Sequence, residues 1–162
     1  MQAPAFLFAS ALAVAAVGAA PCAVAEEIHF KQICQGDGSE YVDKLGDGHA
    51  VSSGPYSCRM VSGPMDGGVI TGQSLMEWDN TGGVVLAGSA VIRKPGGFVV
   101  YVDKEGKIAL TITAGKGTGF TGSGKVRYLV ATGSAAPMAG KTIAYTIKST
   151  GADQWEADGT TD

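Results

Sequence analysis

The chain has 162 residues and a formal net charge of -3, with 25 glycines, three cysteines and two histidines. The acidic balance speaks against a nucleic-acid partner, which selects a basic face. The charges are dispersed through turns and not blocked, so no acidic-tail function follows either.

Residues 6–20 are almost wholly apolar, and no charged residue precedes Glu26. Ala23-Val24-Ala25 then offers small residues at the two positions a signal peptidase reads. This layout predicts a secretory signal peptide over residues 1–25, even though no Lys or Arg accompanies Met1. The run is short and Ala-rich for a transmembrane span, which needs about 20 apolar residues. Pro21 stands where a lipoprotein signal ahead of Cys22 would want a small residue. The expectation is an exported protein, periplasmic or extracellular, with no membrane span after cleavage. Its organisation reads as a signal over 1–25, one domain over 26–151 and an acidic, mobile tail over 152–162.

Cys34 and Cys58 survive cleavage. An even pair in an oxidising compartment predicts one disulfide. Neither their spacing nor the placement of His suggests a zinc site, so no metal and no cofactor are expected.

Downstream, short alternating runs are separated by Gly-rich turns. Strands are expected near Glu27–Cys34, His49–Ser62, Gly68–Trp78, Val84–Ile92, Phe98–Val102, Lys107–Thr113, Lys125–Thr132 and Lys141–Lys148. The stretch from Gln35 to Gly48 is polar and Gly-rich and reads as a long surface loop. Turns are expected at Asp79–Gly83, Lys94–Gly97 and Asp103–Gly106, each with Gly where a hairpin needs positive φ. No stretch keeps a helical period for three turns.

Alternation is clearest in the later strands. Ile108, Leu110 and Ile112 share one face, as do Val126, Tyr128 and Val130, and again Ile143, Tyr145 and Ile147. One apolar face per strand is the pattern of an antiparallel sheet with a single buried side. The fold class is therefore all-β: an antiparallel β-barrel of about eight strands, with a two-sheet β-sandwich as the alternative. Gly72, Gly88 and Gly122 inside strands fit the bends of a barrel. Small outward residues such as Ala109, Thr111, Ala131, Ala144 and Thr146 could pack against another copy.

Tyr101, Tyr128 and Tyr145 recur on strands and Trp78 ends another. Facing the barrel centre, they would line a pocket for a small apolar ligand; they would serve equally as core filler. Gly117–Gly122 matches G-x-G-x-x-G and Gly119–Lys125 begins a phosphate-loop pattern, but a strand follows where both motifs need a helix. His29 and His49 lie in no catalytic motif, and Glu77, Arg93 and Arg127 are expected on the outer face because buried charge is costly. No catalytic residue can be named.

The segment Ala114-Gly115-Lys116-Gly117-Thr118-Gly119-Phe120-Thr121-Gly122-Ser123-Gly124 resembles the Gly-Thr-Gly…Gly-x-Gly stretch of small exported bacterial barrel proteins related to the allene oxide cyclase and dirigent families. The likeness spans roughly Lys107 to Thr150. It implies a Gly-rich bend before a strand of an eight-stranded antiparallel barrel, often trimeric, and it carries over no catalytic residue. The functional expectation is an exported binding or structural module of the cell envelope, with a cyclase- or isomerase-like enzyme as the alternative. A structural module predicts a packed apolar interior and a binder an open apolar cavity. An enzyme predicts an ionisable side chain in that cavity with a shifted pKa.

Overall fold

The computed structural model describes residues 27–38 and 40–161; the expected signal peptide lies outside them. Among the described residues nine strands alternate direction: β1 (His29–Gly36), β2 (Tyr41–Gly46), β3 (His49–Met60), β4 (Val69–Trp78), β5 (Gly82–Lys94), β6 (Gly97–Thr113), β7 (Lys116–Gly133), β8 (Thr142–Gly151) and β9 (Gln154–Thr161). Each is hydrogen-bonded to its neighbour in sequence from β2 to β9. β1 pairs with β9 on one side and with β3 on the other. Eight strands therefore close into a ring, and β2 extends one wall as a hairpin on β3. Continuous pairing around the ring rules out the sandwich.

Four expectations about the elements need correction. The stretch Gln35–Gly48 is not a plain loop: β1 runs to Gly36, and β2 turns into β3 through Asp47 and Gly48, both with positive φ. Every residue of β2 is exposed, so its sequence carries no burial periodicity to betray a strand. Asp103–Gly106 is not a turn. The two strands expected on either side of it are one, β6, and Lys104 is an extra residue between the pairs Asp103↔Val126 and Glu105↔Lys125. A bulge of this kind resets the inward alternation without ending the strand.

The Gly-rich segment after Ala114 is likewise strand, since β7 begins at Lys116. The turn falls earlier, at Ala114 and Gly115, again with positive φ. Finally, residues 154–161 are no mobile tail. They form β9, paired with β8 and β1, with Ala157, Gly159 and Thr161 buried. Their small inward residues and acidic outward ones hid the strand; Lys31 meets Glu156 at 2.7 Å across its outer side.

The face assignments fail at two neighbours in β7. Val130 points outward, 45% exposed, and Ala131, expected outward, packs against the core. Leu129 is the extra residue of a bulge opposite Val100 and Tyr101 and reverses both; Ile112, 53% exposed, lies at the end of β6, where the unpaired residue of the next shift is Thr118 on β7. Of the expected Gly turns, Lys94–Gly97 has Gly96 at positive φ. At Asp79–Gly83 the work is done instead by the Asp79 carboxylate. It accepts hydrogen bonds from the Thr81 hydroxyl, Thr81 N–H and Gly82 N–H, and these hold its pKa below the usual carboxylate value.

One end of the barrel is filled. Met60, Ile70, Ile92, Val99 and Ile143 point in from the strands, and two connections fold over them. Met65 arrives from the loop after β3 and Met138 from a 3₁₀ turn, Ala136–Met138. Flexible Met side chains suit such an irregular plug, and each large apolar side chain buried here contributes about 1.5–3 kcal/mol. Cys34 and Cys58 form a disulfide beside this plug, on strands β1 and β3.

Candidate ligand cavity

Eight-stranded barrels are usually just wide enough for their own side chains to fill them. This one is filled at the plugged end and hollow at the other, because several inward positions carry no side chain. A Cβ on Gly72 would strike the Tyr56 ring, and one on Gly88 the Asp103 carboxylate. One on Gly106 or Gly124 would meet the Tyr145 hydroxyl, and one on Gly159 the Phe30 ring. The larger side chains lie flat against these glycines and leave the centre open. The resulting cavity is about 720 Å³, within the range of small-molecule sites.

Tyr101 and Tyr128 form its floor. They are 5% and 1% exposed, and their rings stack at 5.7 Å between centroids with 19° between planes. Above them the hydroxyls of Tyr56 and Tyr101 are 3.1 Å apart and share one hydrogen bond. Trp155 leans on Tyr56 and on Phe120, with centroid distances of 6.0 and 6.3 Å, and makes an aromatic wall toward the mouth. Asp37, Glu40 and Asp153 belong to the rim, beside Gly117–Gly119 of β7.

Asp103 projects from β6 into this space. Burial pushes its carboxyl up to about 6. Among the described residues no hydrogen-bond donor or ion-pair partner meets it. The phenols around it are harder to ionise than usual. Burial raises Tyr56 to about 12, against the lowering effect of its bond with Tyr101, and lifts Tyr101, Tyr128 and Tyr145 further still. The Asp103 charge adds to the rise at Tyr56, Tyr101 and Tyr145.

All four aromatic residues expected from the sequence line the cavity. Tyr101, Tyr128 and Tyr145 converge near its floor. Trp78 stands apart on the β3–β4 wall, where its indole N–H donates to the buried Ser52 hydroxyl at 2.8 Å. Sequence reasoning missed Tyr56, Asp103, Phe120 and Trp155. Asp103 follows Val99 and Tyr101 at period two, and Tyr56 precedes Cys58 and Met60 the same way. That alternation was the available signal; a turn reading at Asp103 obscured it.

The remaining candidates stay outside. Glu77 meets His49 at 3.3 Å on the outer wall, and Arg93 donates to Thr71 at 2.9 Å. His29 is exposed beside Glu27, and Arg127 is exposed on β7. Among the described residues no three His, Cys, Asp or Glu side chains converge as a metal site. A second, more open hollow of about 820 Å³ is lined by residues of β1 and β5–β9, among them His29, Val85, Gly106 and Tyr145. Its charges are mixed, with Lys125 and Glu105 paired at 3.6 Å.

No protein-family model matches the chain and no curated protein matches it.

Proposed function

We propose that this is an exported binding module that holds one small, largely apolar molecule inside its barrel, in the periplasm or the medium. One observation carries the reading: the interior is a blind, aromatic-lined cavity of about 720 Å³, open at one end and plugged by Met65 and Met138 at the other. A purely structural barrel would fill that volume with side chains, since empty apolar space forfeits contacts and costs stability. The disulfide supports an exported setting, because such bonds persist where the surroundings are oxidising. The likeness to the cyclase-related barrels contributes a fold to this reading and no residue role.

The test is titration of the mature chain with the neutral fluorescent probe N-phenyl-1-naphthylamine. Saturable one-to-one binding that Ser74→Phe abolishes, with the fold intact by circular dichroism, is the expected result; Ser74 lines the cavity. Absence of saturable binding, or binding indifferent to that substitution, contradicts the reading.

A second reading follows from Asp103. A carboxyl shifted to about 6 inside an aromatic cavity is suited to accept or donate a proton near neutral pH. Proton transfer on a bound apolar molecule, as in a cyclase or isomerase, would make Asp103 the acid–base group. Self-association through the small outward residues of β6–β8 is a separate proposal, read directly by native mass spectrometry.

A further inference from the structure

The cavity has an electrical character that an apolar-ligand site does not require. Five charged residues line it among those described: Asp37, Glu40, Asp103 and Asp153 against the exposed Lys107. Clefts lined by one sign of charge with low-dielectric walls concentrate ions of the opposite sign. Deeper in, the Asp103 carboxylate is largely ionised at neutral pH and meets no donor among the described residues. Three phenols feel its charge, Tyr56, Tyr101 and Tyr145; the first two hydrogen-bond to each other, and none of the three donates to the carboxylate. An ionised carboxylate only accepts hydrogen bonds, and its burial is costly until a cation or strong donor meets it. The faces of Tyr56, Trp155 and Phe120 line the route inward, and aromatic faces attract cations.

We infer that the natural ligand is an organic cation: an apolar body carrying an ammonium group, which seats against Asp103 while the body fills the aromatic cavity. This rests on the proposal that the barrel is a small-molecule binder and names the ligand's chemical class. A metal ion fits poorly, because the four acids do not gather into a ligand cluster and the wall between them is aromatic. An anionic ligand would be repelled by the buried carboxylate, and a neutral one could offer it a hydrogen bond but no compensating charge.

The test uses a matched pair, 4-phenylbutylamine and 4-phenyl-1-butanol, which differ at the terminal group. Each is titrated by calorimetry near neutral pH into the mature chain and into Asp103→Asn. The expected result is that the amine binds about tenfold tighter or more, the margin a charge-assisted hydrogen bond provides. D103N should bring the amine down to the level of the alcohol and leave the alcohol nearly unchanged. Equal affinity for the two compounds, or an amine preference that survives D103N, overturns the cation assignment while the binding reading stands. If neither compound binds even at millimolar concentration, both fall. Should D103N fail to fold, the comparison on the unaltered chain still decides.

Discussion

Cys34 of β1 and Cys58 of β3 are direct cross-strand partners in the ladder that closes the barrel. The disulfide therefore joins the first strand to the third at the seam of the ring, with 24 residues of sequence separation spanned by the β2 hairpin. Loop-closure entropy for a bridge of that span is worth roughly 3.5 kcal/mol. Replacing both cysteines by Ala should lower stability by about 3 kcal/mol in urea unfolding, with reduction of the unaltered chain giving a similar loss. An unchanged unfolding midpoint would show that the seam holds through its hydrogen bonds alone.

The final strand makes a second prediction. β9 is the sole link between β8 and β1, so a chain ending at Gly151 cannot close. It would expose the inner faces of both neighbours and lose the Trp155 wall. We expect such a truncation to lack a cooperative thermal transition and dispersed amide resonances. A tail that merely hung from the barrel could be removed with no effect on either.

Asp103 gives the stability a specific pH dependence. Its folded pKa of about 6 lies above the ordinary carboxylate value, so the folded chain holds more protons than the unfolded one between roughly pH 4 and 6. This group's contribution to stability is most favourable below that window, declines as pH rises through it and stays low above it. Discounted for partial exposure, the cost of the charge at neutral pH is roughly 2 kcal/mol. Asp103→Asn should therefore be the more stable chain at pH 7 and should remove this slope. Urea titrations across the window read both effects; the same slope in both chains would contradict the assignment.

The glycine-built hollow predicts an asymmetry between two similar substitutions. Gly88→Ala places a methyl where the Asp103 carboxylate sits, while Gly117→Ala meets open space at the mouth. The first should cost about 1–3 kcal/mol through overpacking and weaken ligand binding. The second should change stability by less than about 0.5 kcal/mol. Thermal unfolding of the two side by side makes the comparison.

Part of the site could be read from residue order. Period-two alternation placed Tyr101, Tyr128 and Tyr145 inside, and the cysteine pair announced its bond. Where bulges insert a residue, at Leu129 and Lys104, alternation changes phase and the reading failed. Val130 and Ala131 were turned the wrong way, and Asp103 was placed in a turn. β2 and β9 were missed for a related reason: one is wet on both faces, and the other presents Ala157, Gly159 and Thr161 inward, too small to register as an apolar stripe.

The class of fold and the dry side of most strands are legible in residue order, because both follow from local spacing along one strand at a time. The closure of the ring through β1 and β9, its hollow centre and the acidic side chain facing that hollow emerge from the packing of strands distant in the chain. Those features depend on which residues from different strands meet across the barrel, a glycine on one wall making room for a tyrosine or an aspartate on another, and no local pattern encodes that pairing.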